Sequence, residues 1–121
     1  MAFTVDEEHI SKAEQALGRQ LPVELKQRLR RNNGGDLATE DADWILFPVY
    51  DPTDRKRIAR TANHIVRENE SWRQWSGFPE GAIAIASDGE GNALVILVGS
   101  DEVLAWNHET RQCQPVHLDW D

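Results

Sequence analysis

Cysteine occurs once in the 121 residues, at Cys113, so no intramolecular disulfide can form, and with no local catalytic signature the thiol reads as packing. Long apolar runs are missing as well. The longest uncharged one, Ala93 to Gly99, falls far short of the roughly 20 residues a membrane-spanning helix needs. Met1 to Glu8 lacks the basic start and apolar centre of a secretion signal. The expectation is a soluble protein of a reducing cytoplasm. Positive charge is scarce too: 13 Lys and Arg stand against 21 Asp and Glu, a formal net charge of −8. A phosphate-backbone binder needs concentrated cations to release counterions, so neither nucleic acid nor a membrane is an expected partner.

What is present is a 40% hydrophobic composition, enough to bury one core without metal or disulfide staples, and a single domain over residues 1–121 is expected. The acidity is uneven. Gln74 to Asp121 holds eight acids against one base, Arg111, and Asp36 to Asp54 holds six acids and no base. Acidity of this kind serves solubility, or else a face for a cationic partner.

Thr4-Val-Asp-Glu7 fits a capping box and predicts a helix start, with Ile10, Ala13 and Leu17 on one face and Gly18 as a left-handed stop. Leu21-Pro22 opens a second helix, striped by Leu21, Leu25 and Leu29. Its C-terminal end carries Lys26, Arg28, Arg30 and Arg31, read as a solvated, dipole-matched cluster, before Asn32-Asn-Gly-Gly35 breaks it. Trp44 to Tyr50 reads as a strand, with Pro48 marking an edge or bulge. Asp51-Pro-Thr-Asp54 then starts a longer helix whose Ile58, Ala62, Ile65 and Val66 are spaced for one buried face, with Trp72 and Trp75 capping that core. Strands follow at Ala82–Ser87, Ala93–Val98, Val103–Asn107 and Gln114–Leu118, and their short connections predict an antiparallel meander. Helices first and strands last give an α+β fold, N-terminal helices and one long helix packed on that meander.

The loop Asp88-Gly-Glu-Gly-Asn92 fails as a calcium loop, because Ala93 stands where the sharp-turn glycine belongs, and Gly99 where the bidentate Glu belongs. It fails as a dinucleotide fingerprint too, lacking the third glycine and the following helix. His108-Glu109 has no second histidine at the zinc-protease spacing, and His9, His64 and His117 show no ligand spacing. A cluster of Asp88, Asp101 and His108 at one end of the sheet is the remaining route to a metal-dependent hydrolase. Asn69-Glu-Ser71 matches a glycosylation acceptor by coincidence. No cofactor, metal or catalytic residue is expected.

Ala16-Leu-Gly-Arg-Gln-Leu-Pro-Val-Glu-Leu25, Asn32-Asn-Gly-Gly35, Trp44-Ile-Leu-Phe-Pro48, Ala86-Ser-Asp-Gly-Glu-Gly-Asn92 and Val103-Leu-Ala-Trp-Asn-His-Glu109 follow one another in an order that resembles the SUKH superfamily, the Smi/Knr-like domain. The resemblance covers nearly the whole chain. It implies helices on an antiparallel sheet and a non-enzymatic role: many bacterial members look like immunity proteins that neutralise toxins, often nucleases, and fungal relatives are regulatory interaction proteins. Similar domains commonly continue into a C-terminal helix, which Leu118-Asp-Trp-Asp121 does not spell, so the expectation is either a minimal domain or an edge closed in another way, self-association among them. By the same resemblance Gly34, Gly35, Gly89 and Gly91 shape the backbone, and Trp44 and Trp106 belong to the core. The expected contacts for a basic toxin domain are Asp88, Glu90, Asp101, Glu102 and Glu109 on the turns, with Asp41 and Asp43 as a second patch. A regulatory interaction module without a toxin partner is the alternative.

Overall fold

The structure, a computed structural model, describes residues 3–120. Helix α1 spans Glu7–Leu17 and α2 spans Val23–Arg31. Strands β1 (Asp36–Thr39) and β2 (Asp43–Leu46) form a hairpin, followed by α3 (Arg55–Arg60) and α4 (Ile65–Trp72). Then come β3 (Ile83–Ser87), β4 (Ala93–Ile96), β5 (Val103–Asn107), β6 (Gln112–Pro115) and β7 (Leu118–Asp119). The fold is α+β, and β3 to β6 form the expected meander.

The N-terminal helix begins later than the capping box predicts. Asp6 is its N-cap, and no side chain caps it. Glu7 is drawn away to Arg30 of α2, its Oε2 lying 2.5 Å from a guanidinium nitrogen. Gly18 does end the helix in the left-handed region, its N–H donating to the Glu14 carbonyl at 2.9 Å. Leu21, Leu25 and Leu29 are all buried. The cluster behind them is not uniformly solvated: Arg28 is buried, and its guanidinium donates to the carbonyls of Asn32 and Asp36. It satisfies carbonyls that the broken helix and the turn leave open.

The long helical stretch bends at residues 61–64 into α3 and α4. Thr61 turns its hydroxyl back to the Arg57 carbonyl and accepts from the Asp51 N–H, which stops α3. The bend takes Ile58 and Ala62 out of phase with Ile65, so both are exposed, and α3 buries none of its side chains. Asp54 caps α3 as expected, accepting from the Arg57 N–H at 2.9 Å. The strand expected over Trp44 to Tyr50 ends at Leu46, because Val49 pairs with a side chain: the Asn33 amide donates to its carbonyl (2.9 Å) and accepts from its N–H (2.8 Å).

The sheet order is β6-β5-β4-β3-β2-β1-β7, antiparallel throughout. Flat, its seven strands would span about 29 Å, yet only Val116 and His117 join β6 at one edge to β7 at the other, a reach of about 10 Å. The sheet is therefore curled until its edges approach. One extended stretch, 112–119, pairs first with β5 and then with β1. The outer side of β1 is occupied by β7.

Register fixes the two faces. Leu37, Trp44, Leu46, Ala86, Leu94, Ala105 and Gln114 are successive cross-strand partners on the concave face. Trp106 alternates to the convex face, where Trp72 of α4 meets it edge-on at 6.2 Å. α4 is tied to β3 by Asn69, which is fully buried. Its amide donates to the Ala84 carbonyl and accepts from the Ala84 N–H, each at 2.8 Å, beside a bulge between Ala84 and Ala86. With both polar ends so engaged, Asn69 is closed to glycosylation in the folded chain.

Candidate interaction surface

Antiparallel pairing decides which turns meet. The β1–β2, β3–β4 and β5–β6 turns lie at one end of the sheet, and the β4–β5 turn lies at the other. The first end collects Glu40, Asp41, Asp43, Asp88, Glu90 and Glu109, against Arg111 alone among its Lys and Arg residues. All six acids except half-buried Asp88 are exposed. Asp101 and Glu102 belong to the opposite end, and Asp101 is paired with Arg19 at 3.0 Å. The contacts expected from sequence thus divide into two sets. The cluster of Asp88, Asp101 and His108 does not form, because Asp101 is at the far end of the strands, and among the described residues no three His, Cys, Asp or Glu converge as metal ligands.

The Asp88 loop is self-contained. Its carboxylate accepts from the N–H of Glu90 (2.7 Å) and Asn92 (3.2 Å) and from the Asn92 amide (2.8 Å), while Gly89 and Gly91 take positive φ. Asn92 in turn receives the His108 N–H at 3.1 Å, locking this loop to the β5–β6 turn. Asp88 therefore builds the turn, and Glu90 and Glu109 carry the outward charge. Behind them lies an aromatic group that sequence foresaw only in part. Trp72 and Trp106 are buried, but Trp75 is 43% exposed, stacked on Trp72 at 5.5 Å and edge-on to His108 at 5.7 Å. Buried Trp106 has no hydrogen-bond partner for its indole nitrogen among the described residues, and its neighbours Trp72, Trp75 and Phe78 all meet it in T-shaped geometry.

The concave face opens at this same end. Trp44, Asp88, Asn92, Ala105, Asn107, Thr110, Gln112 and Gln114 line a cavity of about 260 Å³. Trp44 of β2 and Gln114 of β6 would lie about 19 Å apart in a flat sheet; the curl brings them to one wall.

The profile described as the SMI1 / KNR4 family (SUKH-1) matches residues 4–121. The chain belongs to the SMI1/KNR4 family. No curated protein matches it. In this SUKH-1 chain the glycines and tryptophans of the matching blocks sit where local structure requires them: Gly34 and Gly35 take positive φ at the break after α2, and Trp44 and Trp106 are buried on opposite faces of the sheet. The chain has no helix long and apolar enough to cross a membrane among the described residues.

Sequence reasoning passed over a buried carboxylate. Asp51 is 3% exposed; it accepts from the N–H and hydroxyl of Thr53, and His9 Nε2 (3.6 Å) and Arg57 Nε (3.5 Å) flank it. Both oxygens are occupied within the SUKH-1 fold, tying α1 to α3. Cys113 is half-buried on β6, and burial pushes its thiol upward, away from the thiolate a nucleophile needs.

Proposed function

We propose that this SUKH-1 chain is a non-enzymatic binding protein that neutralises a cognate toxin by docking its acidic end on a basic cleft of that toxin. A nuclease domain fits the role, since it must present cations to a polyanionic substrate. The observation that carries the reading is the strand pairing, which brings three turns with six acids and one lysine or arginine to a single end. Occupancy and charge complementarity suffice to block the cleft, and no chemistry at the interface is required.

The test begins with the partner captured from the native host and identified by mass spectrometry. Reversing Glu90 and Glu109 to Lys should slow association about tenfold or more, and about 0.5 M salt should slow the unaltered protein comparably, with dissociation changed far less. Association indifferent to both would remove the acidic end from the interface. Exposed Trp75 favours a second reading, a regulatory interaction module recognised through an apolar anchor. Under that reading Trp75→Ala abolishes binding while salt changes little.

A further inference from the structure

The cavity at the acidic end has a lining of uncommon bias: one carboxylate, four side-chain amides, an indole wall, and no cation. Most of its polar groups are already committed. Trp44 donates its indole N–H to the Thr39 hydroxyl at 3.2 Å, Asn92 is used at both ends of its amide, and the Asn107 carbonyl oxygen accepts from the N–H groups of Glu109 and Thr110. What is left over is one carboxylate oxygen and two whole side-chain amides, whose carbonyl ends can accept and whose NH2 ends can donate. The amides of Gln112 and Gln114 have no hydrogen-bond partner among the described residues, and Asp88 Oδ2 carries only the Asn92 contact. About 260 Å³ is below the range of cofactor and drug-sized sites and matches one long side chain.

We infer that this cavity is a receptor for a single arginine side chain carried by the protein partner. A guanidinium is planar, has five donors and no acceptor, and stacks on aromatic walls, which suits carbonyl acceptors arranged beside an indole. The surrounding Asp43, Glu90 and Glu109 draw in a cation and disfavour an anion. A lysine ammonium meets the charge requirement but not the planar one. The inference rests on the reading of the acidic end as the partner-facing end, and it names the group that enters there.

The probe is N-acetyl-arginine N-methylamide, titrated to about 100 mM at fixed ionic strength and followed by nitrogen–proton correlation spectra. Saturable shifts are expected at the Trp44 indole and at the Gln112 and Gln114 amides. The neutral citrulline analogue should bind about tenfold more weakly, and the lysine analogue should fall between them. Gln112→Leu with Gln114→Leu, at exposed positions of β6, should abolish the shifts while leaving the rest of the spectrum unchanged. No shift at that concentration, shifts scattered over the surface, equal response to citrulline, or shifts that survive the double substitution would each overturn the receptor. Such a failure, alongside association that still responds to Glu90→Lys and Glu109→Lys, leaves the acidic-end reading standing; loss of that response sinks the broader reading whatever the cavity binds.

Discussion

Replacing Asn69 by Ala should be among the most damaging single changes in the protein. Its side chain makes contacts of 2.8 Å to the Ile65 carbonyl, the Ala84 carbonyl and the Ala84 N–H, all in a region with no exposure. Ile65 keeps other neighbours in its helix, but Ala84 sits beside the bulge, so both of its backbone groups would be left without these partners in the core. Each buried orphan costs about 1–3 kcal/mol, and the total comes to about 3–5 kcal/mol with the small void added. Against a whole-chain stability of about 5–15 kcal/mol this is about a fifth or more, equivalent to a fall in Tm of about 10–20 °C. Urea denaturation followed by tryptophan fluorescence and far-UV circular dichroism measures it directly. Asn69→Asp sharpens the reasoning: a carboxylate can still accept from Ala84 but faces two carbonyl oxygens, which favours its protonated form. Its folded pKa is therefore raised, so the variant should recover stability as pH falls. Asn69→Ala within about 1 kcal/mol of the parent would refute the idea that the amide supplies the missing strand partner.

Protonation of His64 should be costly in the folded state. Its Nδ1 caps α4 by accepting from the Arg67 N–H at 3.3 Å, and burial first, then the charge of Arg67, lowers its pKa below 6.5. The unfolded chain binds the proton more readily, so this contribution is complete above about pH 6.5 and is lost as pH falls through the depressed folded value. His64→Asn keeps a capping acceptor that does not titrate, and a stability difference from the parent that stays flat between about pH 5 and 8 would contradict the cap. In the Asp88 loop, a methyl at Gly91 meets His108 Nδ1 at 3.0 Å and the Trp75 ring at 3.2 Å with φ at 94°, whereas at Gly89 (φ 80°) it meets open space. Gly91→Ala should therefore cost about 2–3 kcal/mol and Gly89→Ala about 1 kcal/mol, the latter from left-handed backbone alone; equal costs by denaturation would show that the close approach is not felt.

The meander was legible in the sequence because β3, β4 and β5 are apolar runs bounded by glycine turns, and local pattern is enough to define them. β1 and β7 were not. Asp36-Leu-Ala-Thr39 and Leu118-Asp119 carry little strand propensity of their own; β1 is held by its hairpin with β2, and β7 is a strand because it pairs with β1, nearly 80 residues away. Asn69 was legible in principle. It follows Ile65 by four and precedes Trp72 by three, squarely in the buried phase of α4, and a polar residue there signals a buried hydrogen-bonding role. Arg28 sits between Leu25 and Leu29 in the same way on α2. Sequence reasoning set Asp41 and Asp43 apart as a second patch and grouped Asp101 and Glu102 with Asp88, Glu90 and Glu109; strand direction does the reverse, bringing the β1–β2 turn to the end of the β3–β4 and β5–β6 turns and sending the β4–β5 turn to the other.

That division changes what the charge can do. Arg57 and Arg60 lie away from the acidic turns, over the Phe3 ring at 4.6 and 5.1 Å, where Arg57 is paired with Asp51 and Asp54, and the Phe3 carbonyl accepts from Asn33, next to the start of β1. The two poles of the strands therefore differ in charge, one almost purely acidic and the other mixed, with Asp101 paired to Arg19 and Asp54 to Arg57. About 15 Å of strand, with turns and helices beyond, separates the poles, and the screening length at physiological salt is about 8 Å. Under the proposed function, a partner at the acidic end is screened from the other end, and it meets six acids and one base rather than the charge of the whole chain. At the other end Asp101 is paired with Arg19, which is held there by its further bonds to the carbonyls of Leu97 and Ser100. Local composition at one end of the sheet, set by strand direction, governs attraction more than the overall excess of carboxylates does.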